Sequence, residues 1–534
     1  MTGSDAVVRS LSNEGVNLVF GIPGYHSEHL YGRLMRQQQI RHVLVRHEQG
    51  AGFMAIGAAR VTGKPACVIS TAGPGALNIT TPMGEAYGDS VPLLNILAED
   101  LSDYLYQDRG LVHESKDQFG IFSRLTQWSH QAMSPGEIPR AFHEAIRRME
   151  VNRPRPTTVE IPIDVFPTTG TVNLLTHEEH PRPRGNPTDI ERAAALLHDA
   201  THPLIWAGGG VISSGAWHEL RQVAERLQAP VLSTCSGKGS IPDDHPLSLM
   251  NIATHGPAIR LMDRCDVMLA VGAVFPYLMT NKWRAPIPKR LIHIDIDPNQ
   301  PSKNYPAEIG IHADARLALT GLLAALDRTN LNRDAWVDTA RTALSTVRKE
   351  MAKQAPLEWN LMKSIRDALP RDTIVACDPH LLGYWARDHF PVYQGRTFLY
   401  GLQFGTLGYA YPVALGAKLA SPNQPVVALG GDGGFLFTGQ ELATAVQQNL
   451  PVPMVIFNDN AYGAIKEDFM RDYGEAYEVN LTNPDFVRYA EAFGAVGMRA
   501  TPDELGPTLR RALSLDKPSI IEVPVQLHRP VKAP

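Results

Sequence analysis

Two aspartates close two successive apolar runs. Residues 426–463 read VVALGGDGGFLFTGQELATAVQQNLPVPMVIFNDNAYG. The first run ends in Gly430, Gly431, Asp432, Gly433 and Gly434, the second in Asn458, Asp459 and Asn460. If both are strands of one parallel sheet, with a helix over 439–448 between them, their ends point the same way and a ligand sits outside them. Glycines let backbone N–H groups approach a phosphate closely. Carboxylates at neighbouring strand ends can share a hard cation such as Mg2+, which takes oxygen ligands and bridges to phosphate oxygens. The residue types point to a metal–diphosphate site. The glycines alone would suit a tight βα turn with Asp432 capping a helix. The second acidic strand end, Asp459, favours the ligand site.

Such a site needs a sheet, and the chain alternates short apolar runs with helical patterns almost throughout. Residues 16–20, 42–45 and 66–70 read as strands, and 27–35 and 49–62 as helices, the second ended by Gly63 in a left-handed cap. The turns Gly21-Ile22-Pro23-Gly24 and Gly73-Pro74-Gly75 follow two of the strands. This rhythm belongs to a parallel sheet covered on both faces. A Thr-, Pro- and His-rich stretch at 167–187 reads as a linker. A new unit starts with PLIWAGGGV at Pro203, continues through strands at 267–271 and 291–296, and ends near Asp327. A polar, helical connector over 328–357 leads to a third unit with strands at 374–377, 426–429, 453–457 and 519–523. No short-period repeat is present. The expected fold is α/β, with three doubly wound parallel-sheet domains at 1–167, 188–327 and 358–534.

Bulk properties agree. The 534 residues correspond to three or four domains at about 150 residues each. Lys+Arg is 50 against Asp+Glu 55, so no basic excess exists to neutralise nucleic-acid phosphate. Cys67, Cys235, Cys265 and Cys377 are far apart, which indicates neither a disulfide framework nor a zinc site and fits a reducing cytoplasm. The first residues lack the basic-then-apolar pattern of a signal peptide, and no uninterrupted apolar stretch is long enough for a membrane span. A cytoplasmic location is expected.

GDGGF followed by NDNAYG resembles the thiamine-diphosphate motif, which begins GDG and ends in an Asn pair. VFGIPG, RHEQGAGFMAIGAAR and STAGPGALN resemble the pyrimidine-binding domain of the acetolactate synthase-like superfamily. FGTLGYAYPVALGAKLA is similar to its cofactor loop, and AGGGV with LIHIDIDPNQ to its central domain. The likeness covers nearly the whole chain. It implies that Asp432, Asp459 and the Ala461 carbonyl hold Mg2+, with Asp459 standing where the family usually has the second Asn. Gly433 and Gly434 would meet the diphosphate. Leu407 would bend the cofactor, and the Gly405 carbonyl would accept from its amino group. Pro23, Asn78, His380, Gly431 and Tyr462 complete the implied cofactor shell. Glu48 would hydrogen-bond the aminopyrimidine and favour the tautomer that generates the ylid; carbon dioxide then leaves an enamine. A carboxylate there also suits a helix N-terminus. In the family this Glu acts on a cofactor held by a second subunit, which implies a homodimer or a dimer of dimers.

Tyr25, His26 and His113 are the substrate-side candidates. Acetolactate synthases typically have Gly where Tyr25 stands and Gln where His113 stands. The combination more resembles the 5-guanidino-2-oxopentanoate decarboxylases. A His can protonate the enamine to release aldehyde, and a structural role is the equal alternative for His113. Glu99, Asp100, Asp103, Asp108, Glu114 and Asp117 could form an acidic mouth for a cationic substrate, although an ordinary solvated loop is favoured. Lys466 could instead attract a carboxylate. In the central domain Gly208–Gly210 and 234–237 occupy the turns that bind FAD in acetolactate synthases. Val274 replaces their Arg, so no FAD is expected. The leading expectation is a small-molecule 2-oxo acid decarboxylase. The alternatives are an acetolactate synthase-type carboligase, an FAD-linked oxidase and a non-catalytic homologue.

Overall fold

The computed structural model of the chain describes residues 1–326, 331–530 and 532. The unit boundary expected at Asp327, the connector's first residues 328–330, and the final Pro534 lie outside them. The first sheet contains β1 (Leu18–Gly21), β2 (Arg41–Leu44), β3 (Ala66–Ser70), β4 (Leu93–Glu99), β5 (Trp128–Gln131) and β6 (Thr157–Pro162). Its order is β2-β1-β3-β4-β6-β5. The second contains β7 (Pro203–Ala207), β8 (Val231–Ser233), β9 (Val267–Val271), β10 (Leu291–Asp295) and β11 (Ile309–His312), ordered β11-β10-β9-β7-β8. The third contains β12 (Ile374–Cys377), β13 (Phe398–Tyr400), β14 (Val426–Gly431), β15 (Pro453–Asn458), β16 (Val496–Arg499) and β17 (Ser519–Pro524), ordered β13-β12-β14-β15-β17-β16. All pairings between these strands are parallel. The fold is α/β with three such sheets. Numbered from its own first strand, the third sheet repeats the 2-1-3-4-6-5 order of the first. This duplication is of a whole domain, a scale that a search for short periods does not sample.

The apolar runs become strands because both faces are covered: β3 and β4 are buried along their whole length. Strand β1 starts at Leu18, later than the apolar run, because Gly15 turns left-handed and the Val16 N–H bonds back to Leu11 O. The helix Glu48–Thr62 starts one residue earlier than its pattern, since the His47 ring accepts from Gln49 N, and Gly63 closes it at φ 70. It crosses the helix Ala410–Ala420 so closely that a Cβ on Gly57 would strike Val413 O, and one on Gly416 would strike Met54 O. The crossing fuses the first and third units into one apolar core. Between the first two sheets, the expected linker 167–187 carries only isolated bridges at Thr169 and Arg184 until Pro187, which opens the helix Pro187–His198. The connector continues as the helices Asp334–Gln354 and Pro356–Ala368.

Candidate active site

In the third sheet the strand order reverses between β12 and β14, the place where such folds bind ligands. Asp432, buried, opens the short helix Asp432–Phe435 there. The Asn483 Nδ2 group donates to Asp432 Oδ2 at 2.6 Å, to Asn458 Oδ1 at 3.0 Å and to Asn460 Oδ1 at 3.3 Å. Asn483 Oδ1 is buried with no partner. Ala461 N donates to Asp459 Oδ1 at 3.2 Å. Burial, and then the charge of Asp432, push the Asp459 carboxyl up to about 6. Burial also raises Asp432. Two repelling carboxylates at neighbouring strand ends fit a hard divalent cation. Among the described residues no three His, Cys, Asp or Glu side chains are grouped so that they could hold a metal ion by themselves, and the donors at this cleft are oxygens.

The floor of this cleft is shaped by its glycines. A Cβ on Gly433 would meet the Tyr462 ring at 2.7 Å, and one on Gly434 would meet Asp378 Oδ2 at 2.9 Å. His380 follows β12 and stacks on Phe457, centroids 5.4 Å apart. Burial pushes its pKa down to about 3, so the ring is neutral. Gly431, at the end of β14, faces His380 Cβ. Lys466 is engaged by Asn480 Oδ1 at 2.9 Å.

The loop with Gly405 and Leu407 is fastened by the first unit. Asp89 accepts from Leu402 N and Gln403 N, both at 3.1 Å, and Glu85 Oε2 from Thr406 N at 3.3 Å. Arg60 Nη1 donates to Asp89 at 3.4 Å, Tyr400 O at 2.8 Å and Tyr409 Oη at 2.9 Å. Phe404 and Gln403 lie against Gly84 and Gly88, where a Cβ would come within 2.7 and 2.8 Å. Asp89→Asn turns an acceptor of three donors into a mixed group. It is expected to raise the cofactor concentration for half-activation roughly tenfold, about 1.4 kcal/mol, within the usual worth of hydrogen bonds to charge. Turnover at saturating cofactor should remain, and a cofactor titration checks both.

In the first unit the corresponding reversal lies between β1 and β3. Glu48 is half-buried at the start of its helix, and Asn78 Nδ2 donates to its Oε2 at 3.0 Å. Glu441, from the third unit, accepts from Arg46 N at 3.1 Å and His47 N at 3.0 Å and so fixes the approach to Glu48. Pro23 and Tyr25 are exposed, Tyr25 by 64%. His26 is 1% exposed, with its ring 5.3 Å from that of His113. His113 adopts φ 70, and its backbone sits on Gly73 so closely that a Cβ there would strike His113 O. Gly73 opens the helix Pro74–Leu77, which leads to Asn78. The structure thus gathers His26, His113, Asn78 and Glu48 at one end of the first sheet, and Asp432, Asp459, Ala461, Tyr462 and His380 at one end of the third.

The acidic segment is not an open mouth. Asp100 faces His26, Glu114 accepts from Gly110 N and Leu111 N, and Asp117 caps a helix through Gly120 N. Asp103 and Asp108 remain exposed. Glu99 is hydrogen-bonded to Glu160 from β6, and burial pushes them up to about 8 and about 7. Burial does the same to Glu85 and Glu441, to about 8 and about 7. These groups hold protons in the folded chain that the unfolded chain has released. Stability therefore falls as pH rises from the ordinary carboxylate range through about 8, by at most about 1.4 kcal/mol per pH unit per group, and levels off above. Glu99→Gln should flatten that fall in melting temperature; an unchanged slope would contradict a protonated Glu99 in the folded chain.

At the β7/β9 reversal of the central unit, between it and the other two units, opens a cavity of about 570 Å³, lined by Gly208–Gly210, Val274, Lys238 and Arg396 among others. Lys238 Nζ and Arg396 Nη1 are buried without hydrogen-bond partners.

Asn483, Glu441 and Asp89 are not singled out as site residues in the sequence, and Asp100 is named there only as one of the six carboxyls of the acidic segment. Asn483 comes from a returning segment, in which Tyr462 N bonds Val479 O and Leu481 N bonds Asn460 O. Only a lone Asn in an unremarkable loop marks it in the sequence.

Two doubly wound units, each with polar groups at its strand reversal, and a carboxylate pair beside a glycine-lined floor define a cofactor-dependent α/β enzyme. Residues 1–121, 190–322 and 381–523 match the N-terminal TPP binding, central and C-terminal TPP binding domains of the thiamine pyrophosphate enzymes. The chain is 37% identical to the probable 2-ketoarginine decarboxylase AruI of Pseudomonas aeruginosa, over 98% of this chain and 94% of that one. It is 34% identical to a probable acetolactate synthase large subunit of Methanocaldococcus jannaschii, over 98% and 92%. It is 33% identical to the acetolactate synthase isozyme 3 large subunit of Escherichia coli, over 96% and 92%. The chain belongs to the thiamine pyrophosphate enzyme family, on its decarboxylase and acetolactate synthase-like side. Among the described residues no helix is long and apolar enough to cross a membrane.

Proposed function

We propose that this chain is a Mg2+-dependent 2-oxo acid decarboxylase acting on 5-guanidino-2-oxopentanoate, which is 2-ketoarginine. The observation that carries this reading is the pairing of His113 with His26 beside the turn that leads to Asn78 and Glu48. The likeness to a protein named for 2-ketoarginine supports the substrate. Thiamine diphosphate, when bound, supplies a nucleophilic carbon that adds to the oxo group and an electron sink for loss of carbon dioxide.

The chain's own residues do the rest. Glu48, held by Asn78, exchanges a proton with the cofactor's pyrimidine nitrogen. Asp432, Asp459 and the Ala461 carbonyl would hold Mg2+, with the Asn483 amide group steadying Asp432. Gly431, Gly433 and Gly434 admit the diphosphate, and Tyr462 and His380 wall it. Gly405 and Leu407 orient the rings, and Pro23 closes the pyrimidine side. Tyr25 fills space that a second oxo acid would need. His113 donates a proton to the substrate carbon.

The bonded partners of Glu48 lie in the first unit and those of Asp432 in the third. We take each complete site to combine Glu48 of one subunit with the third unit of another, in a homodimer or dimer of dimers. Its domains are 1–167, 188–327 and 358–534, and its location is cytoplasmic, in keeping with four buried free thiols. Val274 brings no charge to the central cavity, and a colourless protein without flavin absorbance is the expected preparation; a yellow one would contradict this. Cofactor- and Mg2+-dependent carbon dioxide release from a panel of 2-oxo acids tests the reading. The guanidino acid should have the highest kcat/KM. A preference for pyruvate would overturn the substrate and favour the carboligase reading.

A further inference from the structure

Asp100 has a buried carboxylate that none of the roles above uses. Its Oδ1 lies 3.1 Å from His26 Nε2, and its Oδ2 is buried without a partner. On the other side of the ring, His26 Nδ1 lies 3.2 Å from Thr71 Oγ1, and that same oxygen accepts the His26 backbone N–H at 3.3 Å. A hydroxyl oxygen that accepts one N–H can point its own proton at the imidazole. Nε2 then carries the hydrogen and donates it to Asp100. Both nitrogens of His26 are engaged inside the protein, and the residue is 1% exposed. His26 is therefore poorly placed to give a proton to substrate. Its ring lies 5.3 Å from that of His113, tilted by 39°.

His113 is the half-exposed member of the pair. Its Nδ1 is buried and unpartnered. Its backbone is held in the left-handed region over Gly73, whose N–H is tied to Gln118 Oε1 at 2.9 Å. Tyr25 packs edge-on against His26 at 5.0 Å, and the Val112 carbonyl also faces His26. The charged and titratable groups around the His26 ring are thus Asp100, His113 and the Tyr25 phenol. Behind Asp100, Glu99 is hydrogen-bonded to Glu160.

We propose that Asp100 is a positioning residue for the proton donor: through His26 its carboxylate fixes the ring of His113, which protonates the substrate carbon left by carbon dioxide. This rests on the decarboxylase reading. In the step, the bond to the carboxylate breaks and its electron pair stays on the former oxo carbon. A C–H bond forms there as an N–H bond of His113 breaks, and His113 regains its proton from water. No oxidant is consumed. Asp100 and His26 exchange no proton with substrate; they set where the donor points.

The test separates protonation from loss of carbon dioxide. Ferricyanide, a one-electron acceptor consumed two per turnover, takes the electron pair; the oxidised carbon takes up water and leaves as the carboxylic acid, so no C–H bond is needed. In Asp100→Asn, aldehyde release should fall roughly 10- to 100-fold. Ferricyanide-coupled carbon dioxide release should stay within about twofold, and Asp100→Glu should recover part of the aldehyde rate. Histidine NMR of the cofactor-free protein supplies a readout apart from turnover. Asp100→Asn should lower the His26 pKa and shift the His113 resonances, assigned through His26→Gln and His113→Gln. Equal falls in both rates, an unchanged aldehyde rate, or unmoved His113 resonances would overturn the proposal alone. A wild-type protein that releases no carbon dioxide from any 2-oxo acid would overturn the decarboxylase reading itself.

Discussion

Glu48→Gln is expected to lower turnover by roughly 10²- to 10⁴-fold, the range associated with a positioned acid–base group. Cofactor binding should change by no more than a few-fold. The asymmetry follows from what the side chain touches. Glutamine keeps the volume and an oxygen that can accept from Asn78 Nδ2, the 3.0 Å bond of the native side chain. The backbone before it is held independently, by Glu441 from the third unit and by the His47 cap. The substitution therefore leaves the helix start intact and removes only a group that can take and return a proton. Steady-state rates with saturating cofactor, paired with calorimetry of cofactor binding, check both halves. Unchanged turnover would remove Glu48 from the chemistry. Lost binding with lost turnover would make it a structural anchor instead.

Asp432→Ala is expected to act on binding. It removes one of the two carboxylates at the strand ends and leaves Asn483 Nδ2 without its 2.6 Å acceptor. Outer-shell changes at metal sites typically cost about 10- to 100-fold in affinity, so loss of a direct ligand should cost on the order of 100-fold or more in Mg2+-dependent cofactor affinity. Asn483→Ala, which keeps both carboxylates, should fall in the lower range. Calorimetry at fixed Mg2+ measures both. Equal affinities for wild type and Asp432→Ala would show that the cation sits elsewhere. The fold should tolerate the substitution, because the neighbouring carboxyls repel each other and Asp459 is already driven upward by burial and by Asp432.

The sequence marks the site better than its supports, for physical reasons. Asp432 and Asp459 stand at the ends of two long apolar runs, and both runs are buried strands. Glycine turns and apolar continuity are local signals, so β3, β9 and β12 are legible to the residue. Two strands not singled out, β4 and β6, are buried along their whole length and carry no weak pattern, whereas others do. β8 and β13 are three residues long, β11 alternates buried and exposed, and β16 is only partly buried. The supporting residues are non-local. Asn483 reaches Asp432 across 51 positions, and Glu441 reaches His47 across 394. No spacing rule links such pairs. The acidic segment illustrates the same limit: its six carboxyls look equivalent in the sequence. In the fold one faces His26, one is hydrogen-bonded to Glu160, two hold backbone N–H groups and the other two are exposed without that task, as Asp117 is with it.

Asp100 and His113 connect this geometry to the outcome of the reaction. An enzyme that protonates the substrate carbon releases an aldehyde; one that withholds the proton passes the carbon to a second carbonyl. Product identity is therefore the most direct measurement. The protein is incubated with thiamine diphosphate, Mg2+ and 5-guanidino-2-oxopentanoate, alone and mixed with pyruvate, and the products are identified by mass spectrometry. 4-Guanidinobutanal and carbon dioxide are expected in equal amounts, with or without pyruvate. Acetolactate, or a coupled hydroxyketone as the main product, would contradict this.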